Sequence, residues 1–270
     1  MQIVKVPGIN GLGKTKGCEG AGNAIIAELK NIYSNEIGKE INFGKLNLEE
    51  IHLDNSNLEI TNKLIYKNAL EVFEENSKVV FLGGDHSISY GLSRGFFDFC
   101  KNSNKEPCLI VFDAHPDCME PVDGDFPTHE EWLRGLVEKG FPAKNILLIG
   151  VRNSWKNELK FLKEKGINIV SMNNLLVDLE KVCDGIMEFA SNKELYVSID
   201  IDVIDPIFAP ATGCPEIGGL SPRELIYLIS RINKIKTLRA VDIVEINSEK
   251  DKKFNNITIK LGAKILAEFI

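Results

Sequence analysis

Short apolar runs rich in valine and isoleucine alternate along this 270-residue chain with longer amphipathic stretches, and that alternation narrows the fold more than any other feature. A strand buried on both faces reads as a near-continuous apolar run, and parallel neighbours need a crossover between them, usually a helix. The runs at 2–6, 47–53, 78–82, 108–112, 145–150, 167–171, 195–199 and 237–243 are therefore eight expected strands of a parallel sheet. The helical side is clearest at 222–233, where Leu225, Leu228, Ile229 and Ile232 recur at three and four residues. Ser221, Pro222 and Glu224 supply its N-cap, first-turn proline and capping-box acid. A second capping box, Thr128-His129-Glu130-Glu131, precedes the apolar positions Leu133, Leu136 and Val137 and places His129 at a helix start. With no linker, low-complexity tract or fixed-period repeat to divide the chain, one doubly wound α/β domain over 1–270 is expected.

A hydrophobic fraction of 44% gives such a sheet a sizeable core. The net charge of -7 argues against a nucleic-acid partner, which needs a concentrated excess of Lys and Arg, while an acidic cleft draws cations. The six cysteines, at 18, 100, 108, 118, 183 and 214, form no C-x-x-C pair and read as reduced thiols of a cytoplasmic protein. Neither a signal-peptide stretch nor some 18 consecutive apolar residues occur, so no membrane partner is expected.

Gly8–Thr15, G-I-N-G-L-G-K-T, matches the phosphate-loop pattern G-x-x-x-x-G-K-[ST] and follows the first strand. A true phosphate loop starts its helix at the Lys and Thr, so that the first N–H groups face the phosphates. Here Gly17, Gly20 and Gly22 follow at once, and the better helical run begins near Asn23. A polar, glycine-rich connection accounts for the segment.

Three other segments share one layout, an apolar strand that runs into Asp and His. Val79-Val80-Phe81-Leu82 leads into Gly83-Gly84-Asp85-His86-Ser87, and Leu109-Ile110-Val111-Phe112 into Asp113-Ala114-His115-Pro116-Asp117. Tyr196-Val197-Ser198-Ile199 leads into Asp200-Ile201-Asp202 and then Asp205-Pro206. Ligand sites in open parallel sheets lie beyond the carboxyl ends of the strands, and alternate positions in D-x-H-x-D and D-x-D point the same way. One Asp after a strand is more often a turn former or an N-cap. Three of the chain's four histidines, His86, His115 and His129, nevertheless fall in or near these segments, whereas His52 sits in an expected strand and is read as structural or exposed. Two imidazoles and four carboxylates form a hard, mixed N/O donor set that suits Mn²⁺ better than thiolate-rich zinc sites, with charge enough for two divalent ions.

The segments G-G-D-H-S, D-A-H-P-D and S-I-D-I-D-V-I-D-P, with G-G-L-S-P-R-E at 218–224 and D-I-V-E-I-N at 242–247, resemble the signature motifs of the arginase/agmatinase ureohydrolase family in order and spacing. The resemblance implies a three-layer α/β/α fold around an eight-stranded parallel sheet, two Mn²⁺ per subunit and a homo-oligomer, trimeric or hexameric. It implies that His86, Asp113, Asp117 and Asp200 hold one manganese and Asp113, His115, Asp200 and Asp202 the other. Asp113 and Asp200 then bridge. It also implies that His129 passes a proton to the leaving amine and that Glu245 pairs with a guanidinium substrate.

The pattern departs from the family in three places. Cys214 stands where Thr is usual, the 118–128 loop differs from familiar arginases, and Asn153-Ser154-Trp155 follows Arg152 without the acid that arginases place there for the α-amino group. Arginine is thereby disfavoured, and Glu120, Asp123 and Asp125 suggest a substrate with a plain cationic far end, as in agmatine, although three acids also suit a solvated loop. The expectation is an agmatinase-like hydrolase that releases urea. Arginase, guanidino-acid hydrolase or formimidoylglutamase activity, a non-catalytic metal-binding homologue, and a nucleotide-binding protein using Gly8–Thr15 stay open.

Overall fold

A computed structural model describes residues 1–121 and 126–270. Its eight strands are β1 (Gln2–Val6), β2 (Asn47–Glu50), β3 (Val79–Gly83), β4 (Pro107–Phe112), β5 (Ile146–Ile149), β6 (Asn168–Val170), β7 (Glu194–Asp200) and β8 (Leu238–Val244). The helices are α1 (Ala21–Leu29), α2 (Leu58–Glu75), α3 (Ile88–Asn102), α4 (Trp132–Glu138), α5 (Lys156–Lys165), α6 (Met172–Val177), α7 (Leu179–Phe189), α8 (Pro222–Ile232), α9 (Ser248–Asp251) and α10 (Ile257–Phe269). All pairings between strands are parallel, and the order across the sheet is β2-β1-β3-β8-β7-β4-β5-β6. Each of the eight expected strands is present, with ends differing by up to three residues. The largest shortening is at the edge: β2 stops at Glu50, its side chains largely exposed, which suits the short charged edge strands that resist further pairing.

Two apolar layers sandwich the sheet because successive side chains of a strand point to opposite faces. Val80, Leu82, Ile110 and Phe112 face one layer with Ile25 of α1, Cys183 of α7, Leu225 of α8 and Ile265 of α10. Val79, Phe81, Leu109 and Val111 face the other with Ile65 of α2, Phe96 of α3, Leu133 of α4 and Phe161 of α5. The capping box of α8 forms as expected, with Ser221 Oγ accepting from the Glu224 N–H and Glu224 Oε2 accepting from the Ser221 N–H at 2.7 Å.

The second capping box is corrected. Thr128 and Glu131 do bond to each other, the Thr128 N–H donating to Glu131 Oε1 at 3.0 Å, but they close a turn and the helix begins only at Trp132. The His129 N–H is drawn to the Asn10 carbonyl and the Leu133 N–H to the Asp117 carbonyl, so His129 lies before the helix and not in its first turn. His52 follows the end of β2 and is exposed.

Strand order decides where the chemistry lies. β3, β8, β7 and β4 are neighbours at the centre, so the segments that leave their carboxyl ends meet above one stretch of sheet. Gly84 is required there, because a Cβ at that position would stand 1.8 Å from the Gly8 carbonyl oxygen of the loop after β1.

Candidate metal centre and its cavity

His86, Asp113, Asp117 and Asp200 converge from three strand ends. His86 Nδ1 lies 3.1 Å from Asp113 Oδ2, 3.0 Å from Asp117 Oδ2 and 3.2 Å from Asp200 Oδ2. His115 Nδ1 lies 2.9 Å from Asp202 Oδ2 and 3.6 Å from Asp113 Oδ1. Two groups of donor atoms able to hold a metal result, His86-Asp113-Asp200 and Asp113-His115-Asp202, with Asp113 in both. All six sequence-derived ligand candidates are thus brought together. Asp200, expected to bridge, joins the first group, and its Oδ1 accepts from the Asp202 N–H at 2.8 Å.

The donor set fits divalent cations. His86 Nδ1 and Asp113 Oδ2 are buried and make no aligned hydrogen bond although they approach each other closely. Buried polar atoms are almost always satisfied, and atoms that converge without pairing are those a cation satisfies. Four carboxylates face two imidazoles. Burial, followed by the charges of Asp202 and Asp113, raises Asp200, and burial with the charge of Asp113 pushes Asp117 up to about 7. Burial alone lowers the His86 imidazole, but the three carboxylates at its Nδ1 outweigh it and raise it overall.

Neighbouring side chains orient these donors. His86 Nε2 is 2.9 Å from Ser198 Oγ, which donates to Asp242 Oδ1 at 2.6 Å. With Nε2 carrying the proton, Nδ1 keeps its lone pair for a cation, the usual arrangement behind a ligating imidazole. Trp132 is wholly buried, stacks on His86 at 4.7 Å between ring centroids, and donates from Nε1 to Asp117 Oδ2 at 2.8 Å. Asp117 and Glu245 hold φ of 49° and 63°, the left-handed region where non-glycine residues are uncommon and concentrate at functional sites.

Glu245 leaves the end of β8. Its Oε1 accepts the His86 N–H at 3.0 Å and lies 3.1 Å from His129 Nδ1. His129 Nε2 is buried with no hydrogen-bond partner among the described residues, 3.8 Å from Glu130 Oε1, on the wall of a cavity of about 240 Å³ that it shares with Asp200, Asp202 and Glu245. Burial by itself lowers the His129 imidazole, yet the hydrogen bond and charge of Glu245, with Asp117 and Asp85, carry it up to about 9. In the absence of metal ions these carboxylates favour the protonated imidazole. A raised histidine stabilises the fold fully below its unfolded pKa of about 6.5 and loses that contribution as pH rises through the folded value. In chelator, thermal unfolding should show a stability decline from about pH 6.5 to 9 that Glu245→Gln makes shallower; parallel declines in the two proteins would remove this account of the pair.

The Gly8–Thr15 loop serves this centre as scaffold. Thr15 Oγ1 donates to Asp85 Oδ2 at 2.7 Å, the Asn10 N–H donates to the same oxygen at 2.7 Å, and Asn10 Nδ2 donates to the Pro127 carbonyl at 3.0 Å. Lys14 Nζ is 2.6 Å from Glu130 Oε1. The Lys and Thr of the phosphate-loop pattern are thus engaged with acids, and the α-helix starts at Ala21. Asp85, through Asn10, therefore supports the His129 turn.

Sequence reasoning singled out Asn153 and Trp155 but missed Glu216, which lines the same cavity with them, and Ser198, Asp242 and Trp132 behind it. Cys214 also lines it; burial, then Glu245, pushes its thiol up to about 11 and leaves it neutral. Glu120 is exposed, and Asp123 and Asp125 lie outside the described residues. No described helix is long and apolar enough to cross a membrane.

A model of the family described as "Arginase family" matches residues 1–270. Arginase 1, mitochondrial, of Oryza sativa subsp. indica is 28% identical over 243 residues, covering 87% of this chain and 69% of its own. The fold is shared with proclavaminate amidino hydrolase from Streptomyces clavuligerus, at a TM-score of 0.87 and 24% identity over 99% of this chain and 89% of that one. It is also shared with the agmatine ureohydrolase of Thermoplasma volcanium, at 0.85 and 24% over 99% and 87%.

Proposed function

Since the chain belongs to the arginase family, whose members are hydrolases acting on guanidino compounds, we propose that it is a binuclear manganese hydrolase, agmatinase-like, that releases urea and an amine. The observation that carries this reading is the pair of donor groups sharing Asp113, set beside the His129–Glu245 pair on one cavity. A hard N/O set favours Mn²⁺, and two divalent ions in it supply positive charge and a water acidified towards neutral pH.

The chain's own residues supply the rest. A guanidinium ion is resonance-stabilised and a poor electrophile, so it must be held in plane and its departing nitrogen protonated. Glu245 Oε1 is fixed by the His86 N–H and His129, and its carboxylate accepts guanidinium N–H groups. The water's oxygen bonds to the guanidinium carbon, the bond from that carbon to the alkyl nitrogen breaks, and His129, whose Nε2 has no hydrogen-bond partner among the described residues, gives the departing amine a proton, the two protons of the water completing the amine and restoring His129. Among the described residues lining the cavity there is no Lys or Arg to meet a substrate carboxylate, whereas Glu216 is present beside Glu130, which Lys14 already neutralises. That balance supports a cationic far end, as in agmatine, over arginine or a guanidino acid.

One sheet whose strands run from residue 2 to residue 244 supports a single catalytic unit, here read as a cytoplasmic homo-oligomer. Urea release from agmatine, arginine, guanidinobutyrate, guanidinopropionate and formiminoglutamate by Mn²⁺-loaded enzyme tests the reading. Agmatine should lead by about tenfold or more in kcat/KM. Preference for an acid would overturn the substrate assignment, and a metal-loaded protein inert towards every guanidine would overturn the hydrolase.

A further inference from the structure

We infer that Glu216, supported by Asn153 and flanked by Trp155, forms the subsite that receives the terminal ammonium of the substrate and sets the preference for guanidines with a cationic far end. The inference deepens the hydrolase reading above and rests on it for the identity of the substrate.

The position follows from His115. Its Nδ1 faces Asp202 and Asp113, while its Nε2 is turned towards Glu216 Oε2 at 4.0 Å. The two nitrogens of an imidazole point in different directions, so Glu216 lies on the outer side of the donor set. Glu216 and Glu245 line one cavity, and on this assignment the methylene chain of the substrate lies between them. On the wall of the same cavity, the buried Nε2 of His129, which has no hydrogen-bond partner among the described residues and only the Glu130 carboxylate at 3.8 Å, independently marks the space for a ligand.

Charge singles out Glu216 from its neighbours. Its carboxylate accepts from Asn153 Nδ2 at 2.8 Å, and among the described residues no Lys or Arg lies within ion-pair distance of it. Glu130, the other acid on the wall, is already matched by Lys14. The one nearby guanidinium, that of Arg152, is committed to backbone: Nη2 donates to the Asp202 and Glu216 carbonyls, each at 2.6 Å. A substrate carboxylate would meet the charge of Glu216, which of the described His, Lys and Arg side chains only His115 approaches, at 4.0 Å, and an ammonium group would complete it.

The subsite is also held in place before any ligand arrives. Arg152 Nε donates to the Ile217 carbonyl at 3.2 Å, the Gly218 N–H donates to Asp205 Oδ2 at 2.8 Å, and the Asn153 N–H donates to the Ala114 carbonyl at 3.1 Å. A carboxylate on a fixed backbone loses little entropy on binding. Trp155, 69% exposed, offers beside it an indole face suited to methylenes and to a cation.

The test compares agmatine with butylguanidine, which carries a hydrogen where agmatine carries an ammonium, on the Mn²⁺-loaded full-length enzyme. Glu216→Gln should lower the agmatine-to-butylguanidine ratio of kcat/KM roughly five- to tenfold, mostly through KM, and Glu216→Asp should recover part of it. Titration calorimetry with 1,4-diaminobutane needs no turnover: the wild type should bind it more tightly than 4-aminobutyrate, and Glu216→Gln should abolish that difference. Diamine binding that depends on Glu216 in a protein inert towards guanidines would uphold the subsite while removing the hydrolase reading. An unchanged ratio with unchanged diamine affinity overturns the inference. So does an equal loss on both substrates with weakened Mn²⁺ binding, because Glu216 would then act through His115.

Discussion

Asp113→Ala is expected to lower the rate of urea release by about three orders of magnitude or more and to cut the bound manganese from two ions per chain to one or none. Asp113 is the residue common to both donor groups, with Oδ2 beside His86 Nδ1 and Oδ1 beside His115 Nδ1. Its Oδ1 also accepts the His115 N–H at 2.6 Å, which fixes the chain between the two donors. Loss of this carboxylate opens both groups at once, whereas loss of Asp202 opens one. Folding should survive in chelator, because three other carboxylates share the cluster and a charge is removed from an acidic excess. The rise in Tm that Mn²⁺ confers on the wild type should largely vanish, since a ligand stabilises only what it binds. Metal content by elemental analysis, the Mn²⁺-dependent shift in Tm and the rate of urea release form the measurement. Two ions retained per chain at near wild-type turnover would refute the shared role.

The alternation of apolar runs showed the sheet because a strand covered on both faces leaves little choice of side chain, as in Val79–Leu82 and Leu109–Phe112. The metal donors were legible for a related reason: D-x-H-x-D and D-x-D place several of them within a few residues, at strand ends where such groups converge. Their neighbours were hidden by distance along the chain. Ser198 and Asp242 meet His86 across 112 residues and more, and Glu216 reaches Asn153 across 63, without any local spacing to announce either contact. The left-handed backbone at Asp117 and Glu245 has no compositional signal either, since the residue type that favours such angles is absent there. The helix start at 128–131 was misplaced because the capping-box letters did pair, but the carbonyls of Asn10 and Asp117 held the chain in a turn. Tertiary contact overrode a valid local rule.

The polar cluster behind His86 leads to the other large effect. Asp242 is wholly buried, its Oδ2 accepts from Ser89 Oγ at 2.8 Å and Tyr196 Oη at 2.7 Å, and its Oδ1 accepts from Ser198 Oγ. Burial raises its carboxyl, and the charge of His86 with the three hydroxyls partly opposes that rise. Asp242→Ala leaves three hydroxyls without their acceptor in an interior that water does not reach, at about 1 kcal/mol or more each, so about 3 kcal/mol of stability should be lost. For a chain of this size the corresponding fall in Tm is roughly 5–10 °C. Manganese affinity should fall as well, by about 10- to 100-fold, because Ser198 no longer fixes the proton and the tilt of the His86 ring. Ser198→Ala separates the two consequences: Asp242 keeps Ser89 and Tyr196, so stability should drop by only about 1 kcal/mol, while the loss of metal affinity persists. Thermal unfolding in chelator reports the first effect and Mn²⁺ titration the second. Unchanged affinity in Ser198→Ala would make the cluster a matter of packing alone, with His86 oriented instead by the stacked ring of Trp132.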